Sequence, residues 1–519
     1  MKLSKSVIFG AAACLLSTSA SAQAAGDLLA LSQYNYSFST ARSAALGGAF
    51  TSLGADLSSM SINPAGLGMY MSSDFGISPS LTWNNMQSTY LGTKSDYSRT
   101  RFTLGNLGMA FNLYQGSGTL TSFTLGVGYS KLADFNTTSA AYGQGIDKSI
   151  TDVLAEYMNG VPLSSLGHPD NDPYQPFRRA DVGLWGGILA YQTGILDPMS
   201  DAQDNKQYTV ANNLATGSRT NPSMRNVNKG SIDEYSISGG FNIQNILYLG
   251  FTIGIQDILY RNDNYYAETY DNNSLPLNGM NYIRSLHLDG TGVNFKFGAV
   301  VRPVENLRIG VAVHTPTLVS INEEYIEWMS ADYKNTARGE LLDSPRSLNE
   351  YDINTPTRLL TGISYTLPGV GLITADYERV WYNRMKLRNM GTENWDFQQT
   401  INNEVSSFYQ PANNFRVGIE ATPAQNFYIR AGYANYGECI ATRDAFNNMS
   451  SINSYENYSA GLGFRFQNMY VDLAYIYTEY KYAPYTMFYY GDPDYVVNPG
   501  NVETKQSRNT ITMSVGVRF

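Results

Sequence analysis

The chain has 519 residues; it is rich in Tyr (40) and Gly (47), and only 15% of its residues are charged. Its 44 acidic and 35 basic residues give a net charge of −9, and no basic run stands out, which argues against a nucleic-acid-binding protein. Helical periodicity is scarce, whereas alternation with a period of two recurs from residue 74 onwards, so an all-β chain is expected despite a length typical of two or more domains.

The first 22 residues have the order of a secretory signal peptide. Lys2 and Lys5 precede an apolar stretch over residues 7–16, and small residues end at Ala22, after which we expect cleavage. A lipoprotein cysteine at Cys14 is the alternative, but no Leu stands three residues before it. The mature chain then keeps one cysteine, Cys439, which excludes an internal disulfide.

Residues 23–73 precede the first predicted strand and are dense in Ala, Gly and Ser. This composition predicts a helix over Ala44–Ser58 that can approach other backbone closely. The sequence Asn-Pro-Ala-Gly at Asn63–Gly66 predicts a turn, in which Pro64 fixes φ and Gly66 allows a positive φ.

From residue 74 onwards, the alternation of apolar and polar residues predicts fourteen β-strands. In the last of them Ile511, Met513, Val515 and Val517 share one face with the terminal Phe519, while small and polar residues share the other. Many strands reach the roughly 9–11 residues that a tilted membrane strand needs. The predicted strands are 74–84, 101–113, 119–133, 232–243, 246–260, 282–302, 306–321, 357–367, 371–387, 413–422, 426–437, 456–467, 469–483 and 506–519.

The connectors between these strands alternate strictly in length. Short turns follow the even-numbered strands up to strand 12, and long polar segments follow the odd-numbered strands. Short periplasmic turns and long outer loops produce this pattern in outer-membrane barrels, which places both termini in the periplasm. The longest connector, residues 134–231, is expected to hold two short helices, within 145–160 and 176–198.

The terminal Phe519 favours a membrane barrel over a soluble β-sandwich, which would share the alternation. A barrel needs its last strand because that strand pairs with the first and removes the open edges. We therefore predict an all-β, 14-stranded antiparallel transmembrane β-barrel, placed among the lipids of a Gram-negative outer membrane by the barrel assembly machinery. Such a barrel is too wide for its own side chains to fill. Residues 23–73 are expected to form an N-terminal hatch, or plug, inside the lumen of the barrel formed by residues 74–519.

The stretch ALGGAFTSLGADLSSMSINPAGLGMY, followed by fourteen strands that end in Phe, resembles the FadL-type family of outer-membrane transporters of hydrophobic compounds. The resemblance implies that a ligand from outside occupies an apolar pocket above the hatch and leaves sideways beside an inwardly kinked third strand. Asn63, Pro64 and Ala65 match the hatch signature; this turn either moves to open the pocket or only shapes the plug. Gly126 and Gly128 would supply the bend. The very long third connector departs from the family pattern, so no loop residue is carried over.

Because alternate residues of a strand face opposite sides of the wall, a set of ionisable side chains is predicted to face the lumen. A fatty-acid carboxylate would need one Arg or Lys that faces an otherwise apolar pocket, and Arg308 and Arg430 are the candidates. The alternative is a network of ion pairs that holds barrel and hatch together. The inward residues are Lys296, Arg308, His314, Asp376, Glu378, Arg416, Glu420, Arg430, Arg465, Asp472 and Arg518.

No pattern in the sequence indicates an enzyme, a cofactor or a metal site. His168, His287 and His314 lack the spacing of metal ligands, and no nucleophile elbow, phosphate-binding loop or zinc-protease motif occurs. The leading function is therefore passive uptake of hydrophobic compounds such as long-chain fatty acids. The alternative is a barrel that shuttles or docks exported proteins, with loop 134–231 as the docking surface, and a water-filled porin ranks third.

Overall fold

The computed structural model describes residues 25–166, 172–210, 219–271, 276–334, 341–391, 394–441, 452–492 and 495–519. The predicted signal peptide, residues 1–22, and His168 lie outside these ranges. No helix in the described part of the chain has the length and apolar character that a membrane crossing requires.

Fourteen antiparallel strands close into one barrel, in which each strand pairs with its sequence neighbours and the last pairs with the first. In the closing ladder Phe75 lies opposite Val517, and Tyr90 lies opposite Val502. The predicted fold class is thus confirmed. The wall strands are β1 (Asp74–Tyr90), β2 (Thr93–Gln115), β3 (Leu120–Asp134), β4 (Thr220–Ile243), β5 (Leu247–Tyr270), β6 (Leu277–Val304), β7 (Leu307–His314), β8 (Arg358–Leu367), β9 (Gly371–Trp381), β10 (Pro411–Ala424), β11 (Phe427–Tyr436), β12 (Ile452–Phe466), β13 (Met469–Tyr482) and β14 (Asn501–Arg518).

The outer surface of the barrel is apolar, and its inner surface is largely polar. In β10, Val417 and Ile419 are 48% and 54% exposed, whereas Arg416 between Phe415 and Val417 is buried completely. Leaving such rows of aliphatic side chains in water is unfavourable by about 25 cal/mol per Å². Lipid is therefore the medium in which this surface is stable.

Several wall strands extend well beyond a bilayer. β4, β5 and β6 have 24, 24 and 28 residues, against the roughly 9–11 that one crossing needs. The strand predicted over 74–84 continues to Tyr90 and returns through a tight turn at Leu91 and Gly92, with φ of 46° and 86°. The expectation that long loops follow the first and fifth strands is wrong there, because the backbone ladder continues after the apolar face has ended.

The hatch lies inside the barrel, and its helices are shorter than the sequence predicts. A helix covers residues 25–30, and α1 (Ala41–Ala45) and α2 (Ser59–Ile62) follow. The helix predicted over Ala44–Ser58 is wrong, because Gly47 and Gly48 take φ of 67° and 74° and turn the chain. The turn predicted at Asn63–Gly66 is a 3-10 helix, Pro64–Met69, and Gly66 does not have a positive φ.

Residues 143–166, 172–210 and 219, here called the lid, fold over the end of the barrel that is opposite Asp74 and Phe519 and that we call its outer end. The two predicted helices are present as α3 (Ile150–Met158) and α5 (Trp185–Gln192), with α4 (Gln175–Arg178) between them. Their apolar side chains pack into one core with aromatic residues from the outer ends of β1, β5 and β6. One more helix, α6 (Trp395–Phe408), precedes β10. The described strands outside the fourteen wall strands are Thr137–Tyr142, Leu196–Pro198, Tyr208–Val210, Leu318–Tyr333, Leu342–Asp343, Ser347–Asn354, Lys386–Arg388, Tyr485–Thr486, Tyr490–Asp492 and Tyr495–Val497, and among them Leu318–Tyr333, with 16 residues, is the longest.

Candidate functional site

A belt of inward-facing glycines lets the hatch backbone lie flat against the barrel wall. A Cβ atom added to Gly418 of β10 would come within 2.7 Å of the carbonyl oxygen of Leu46, and one added to Gly240 of β4 within 2.5 Å of the amide nitrogen of Gly68. The hatch backbone comes equally close to the wall at Gly250, Gly310 and Gly432, and hatch side chains come equally close at Gly126, Gly298 and Gly461. Only glycine leaves this space, so residues 45–68 follow the inner circumference of the wall.

The Asn63-Pro64-Ala65 turn is held by this belt on one side and by the hatch on the other. The side-chain nitrogen of Asn63 donates to the carbonyl oxygen of Thr51 (2.6 Å), and its side-chain oxygen accepts from the amide nitrogen of Ala65 (3.1 Å). Pro64 lies directly against Gly250 of β5. The turn is thus a fixed junction in this conformation.

Gly126 and Gly128 face the hatch, and the ladders of the third strand keep their register at both residues. A Cβ atom at these positions would come within 2.8 Å and 2.6 Å of the side chain of Met60. β3 is paired on both sides here, with Gly126 opposite Ala110 of β2 and opposite Ser238 of β4. These glycines make room for the side chain of Met60 from the hatch.

β3 leaves the barrel wall above Ser130. Its ladder with β2 ends at the pair of Asn106 and Ser130, although β2 continues outward as far as Thr93. The ladder between β3 and β4 shifts register between Lys131 and Ala133. We call this irregularity next to Lys131 the kink of the third strand; along the strand it lies beyond Gly126 and Gly128.

Past the kink, the chain runs inside the β1–β2 hairpin. The strand Thr137–Tyr142 pairs with β4, and Asn84 of β1 donates to the carbonyl oxygen of Asn136 (3.0 Å). Two layers of the wall therefore overlap at this point, and a backbone ladder no longer joins β2 to β3. A small pocket lies in the overlap and is lined by Asn84, Met86, Tyr97, Arg99 and Thr137.

An apolar chamber lies inside the barrel above the hatch, and the N-terminal helix fills it. Leu28, Leu29 and Leu31 are at most 3% exposed. They belong to one cluster with inward-facing residues of β5, β6, β9 and the strands Leu318–Tyr333 and Ser347–Asn354. Wall residues of the chamber are Ile258, Leu288, Val319, Ile321, Ile353 and Val380. The barrel thus contains a ring suited to an apolar occupant, and the chain itself supplies one.

A few polar contacts hold the N-terminal segment. The hydroxyl of Tyr409 donates to the carbonyl oxygen of Ala25 (2.7 Å), and Arg358 donates to the carbonyl oxygen of Ser32 (2.5 Å). Below Ser32 the hatch is held more firmly, since the guanidinium carbon of Arg416 lies 5.1 Å from the ring centroid of Tyr36. Residues 25–32 are therefore the part of the hatch with the fewest ties to the wall.

The inward-facing charges of the middle of the barrel form buried ion pairs and hydrogen bonds. Glu378 accepts from Arg358 (3.3 Å) and from Arg416 (3.1 Å), and these three residues are at most 2% exposed. Asp376 accepts from the amide nitrogen of Thr51 at 2.8 Å. The alternation of inward and outward residues along each strand predicted that these side chains face the lumen. Their contacts form a network that holds barrel and hatch together.

The two arginines chosen for a carboxylate lie away from the chamber. Arg430 pairs with Glu420 (2.5 Å) and Asp472 (2.6 Å). Arg308 is half-buried, and its Nε atom has no hydrogen-bond partner among the described residues. Both are near the starts of their strands, next to short turns at the end of the barrel opposite the lid. The structure does not bring them together with the apolar chamber.

The resemblance implied an apolar pocket above the hatch, but the sequence analysis identified neither the residues that form it nor the N-terminal segment that fills it. The run Leu28-Leu29-Ala30-Leu31 begins six residues after the end of the predicted signal peptide at Ala22, and it is a short apolar segment in an otherwise small and polar stretch. This apolar run is the feature of the sequence from which a buried N-terminal segment could have been predicted. Within the described ranges no group of three or more His, Cys, Asp and Glu residues is placed to hold a metal ion.

Two solved structures share this fold over almost the whole chain. The Pseudomonas putida toluene transporter TodX is 12% identical, with a TM-score of 0.51 and with 94% of this chain and 99% of that chain covered. A FadL homologue from Pseudomonas aeruginosa is 11% identical, with a TM-score of 0.51 and coverages of 94% and 98%. No protein-family profile and no curated protein sequence matches the chain. The resemblance to FadL-type transporters is thus confirmed in the fold.

Proposed function

We propose that this protein is a transport protein of the outer membrane, and not an enzyme, that admits hydrophobic small molecules by diffusion. The observation that carries the proposal is the apolar chamber inside the barrel, which is closed by residues 25–31 of the chain itself. An apolar ligand can replace this segment, because both bury apolar surface in the same ring. The likeness in fold to a toluene transporter and to a FadL homologue supports a hydrophobic ligand.

The ligand's affinity depends on the free energy of replacing residues 25–31 with the ligand in the chamber. A bound hydrocarbon gains about 0.8 kcal/mol for each buried CH₂ group before the cost of association. The ligand must displace the N-terminal segment, and Leu28, Leu29 and Leu31 then lose their burial. This loss reduces the net affinity. Affinity is therefore expected to rise with each methylene of the ligand until the chamber is full.

Long-chain fatty acids are one candidate class, but the charges near the chamber favour uncharged compounds. Arg358, the arginine that contacts the N-terminal segment, is already paired with Glu378. A second carboxylate, that of Glu323, lies in the chamber wall and accepts from the hydroxyl of Tyr351 (2.9 Å). A ligand carboxylate would meet these acids without a free cation beside them, so an alcohol or hydrocarbon of equal length should bind more tightly.

The overlap between β2 and the kinked third strand supplies the exit in this proposal. The glycine belt keeps residues 45–68 against the wall, so the ligand would pass beside the hatch and out between β2 and β3 into the membrane. The end of the barrel at which Asp74 and Phe519 lie would face the periplasm, whereas residues 25–31 lie in the chamber above the hatch. The barrel assembly machinery would recognise the last strand, β14. Movement of the Asn63 turn would widen the path.

A binding experiment tests the proposal. Detergent-purified full-length protein is titrated with hexadecanol and with hexadecanoate, both measured by displacement of a fluorescent neutral hydrophobe. We expect saturable binding of both compounds, tighter for the alcohol, and weaker binding in Ile321→Asn, which puts a polar group in the chamber. Ser320→Asn, on the outward face of the same strand, is the matched control. The absence of saturable binding of either compound would refute the proposal.

A further inference from the structure

The carboxylate of Glu268 ties the lid to the barrel wall. Glu268 lies near the outer end of β5 and is 1% exposed. It accepts hydrogen bonds from the amide nitrogen of Ile150 (2.8 Å), from the hydroxyl of Ser149, and from the hydroxyls of Tyr266 and Tyr270. In the described part of the chain, no Lys or Arg forms an ion pair with it.

The same contact holds the start of α3. Ser149 and Ile150 are the N-cap and first residue of this nine-residue helix, so the carboxylate of Glu268 sits at the positive end of the helix dipole. Apolar residues of α3, among them Leu154 and Met158, then pack into the core of the lid. Release of Ser149 and Ile150 from Glu268 would therefore loosen the lid from the barrel.

A second acid lies in the first turn of α3. The carboxylate of Asp152 accepts from the amide nitrogen of Ser149 (3.2 Å) and completes a capping box. Burial raises the pKa of Asp152 to about 6; the hydrogen bond from the Ser149 amide and nearby Lys148 oppose this rise, and Glu156 adds to it. Two buried acids, Glu268 and Asp152, thus lie at one helix start.

Burial also raises the pKa of Glu268, although the donors from Ser149, Ile150, Tyr266 and Tyr270 oppose the rise. The phenol of Tyr90, from β1, also lies close enough to this carboxylate to interact with its charge. Within the described ranges the groups that donate hydrogen bonds to Glu268 are all neutral. A carboxyl group whose pKa is higher in the closed lid than in water binds its proton more tightly when the lid is closed.

The sign of the pH effect follows from this linkage. Acidification favours the state that binds more protons, which is the closed lid. As the pH rises through the closed-state pKa, the buried carboxylates become charged without a cation, and closure loses stability. We propose that the lid is a proton-coupled gate, in which α3 docks on Glu268 more firmly in acid and opens more readily at neutral pH.

Hydrogen–deuterium exchange of the full-length protein in detergent tests this gate without reference to any transported compound. The amides of residues 149–158 are followed at pH 5.0, 6.0 and 7.5, with rates corrected for the intrinsic effect of pH. We expect their protection to increase by about tenfold from pH 7.5 to pH 5.0, since one carboxyl contributes at most a factor of ten per pH unit. Unchanged or decreasing protection in acid would overturn the proposal.

Substitutions test whether the pH dependence of hydrogen exchange arises from Glu268. Glu268→Gln removes the charge and is expected to be well protected at pH 7.5, with a flatter pH profile. Asp204→Asn removes an exposed acid of the lid and should keep the wild-type profile. If Glu268→Gln does not fold, Ser149→Ala is used, because the loss of one donor to the carboxylate should move the midpoint of the profile to higher pH. A wild-type profile in either Glu268→Gln or Ser149→Ala would also overturn the proposal.

Discussion

The guanidinium carbon of Arg358 lies 4.1 Å from the ring centroid of Tyr34, inside the barrel and just below the chamber. The hydroxyl of Tyr34 donates to the side chain of Gln256 (3.1 Å). The next aromatic residue along the hatch, Tyr36, also lies beside an arginine, Arg416. We infer that Tyr34 marks the lower end of the segment that leaves the chamber.

Replacement of Tyr34 by Leu should loosen the N-terminal segment. The change removes a buried cation–π contact worth about 1–2 kcal/mol and the hydrogen bond to Gln256. Hydrogen exchange of residues 25–33 is expected to become faster by about tenfold, which corresponds to 1.4 kcal/mol. Tyr34→Phe keeps the ring and should show a smaller change. Equal protection in Tyr34→Leu and wild type would mean that the segment is held elsewhere.

A methyl group on the glycine belt should displace the hatch turn. In Gly298→Ala the new Cβ atom would clash with the side-chain oxygen of Asn63. Because the wall strand is paired on both sides, the hatch has to move instead. Single-channel conductance in planar bilayers is expected to rise severalfold. Gly118→Ala is the matched control, since a Cβ atom there meets nothing within 4 Å and no positive φ is involved. Wild-type conductance in Gly298→Ala would contradict the tight fit.

Substitutions of Arg430 and Arg308 should show which of the two arginines stabilises the fold. Arg430→Met leaves Glu420 and Asp472 with one weaker partner each and should lower the free energy of unfolding by about 3–5 kcal/mol. Arg308→Met breaks no ion pair of the described residues and should lower it by less than about 1 kcal/mol. Urea unfolding followed by heat-modifiable gel migration measures both. If Arg430→Met instead weakened binding of hexadecanoate but not of hexadecanol, a ligand role would replace the structural one.

The wall of the barrel could be predicted because its information is local. In β10 the alternation of Phe415, Val417 and Ile419 with Arg416 and Gly418 shows which face meets lipid, and the same rule repeats in every wall strand. The number of strands, and which charged residues face the lumen, both follow from this alternation. The outer ends of the strands were not predicted, since the regular alternation of apolar and polar residues stops there.

The interior could not be predicted in the same way because its contacts join distant parts of the chain. Gly126 has the freedom to bend a strand, but the sequence does not show that Met60 occupies the space beside it. Likewise Glu378 and Arg416 are 38 residues apart, and only the register of β9 and β10 brings them to 3.1 Å. The apolar chamber depends on such contacts from at least five strands at once.

Cys439 provides a native reporter for the chamber. It lies beyond the end of β11, is 1% exposed, and its sulfur is 3.5 Å from the side-chain nitrogen of Gln33. Burial raises the pKa of the Cys439 thiol to about 12, so the reactive thiolate is scarce at pH 7.5. A ligand that displaces residues 25–33 uncovers this thiol and should accelerate its labelling by a small thiol reagent.

Labelling should increase with hexadecanol concentration and saturate at the affinity measured by binding. The matched control carries Cys439→Ser together with Asp204→Cys, which places the thiol on the exposed face of the lid, and its labelling should not depend on hexadecanol. Because Tyr34→Leu loosens the same segment, that variant should label Cys439 faster even without ligand. Labelling that hexadecanol slows or leaves unchanged would show that the ligand does not replace the N-terminal segment.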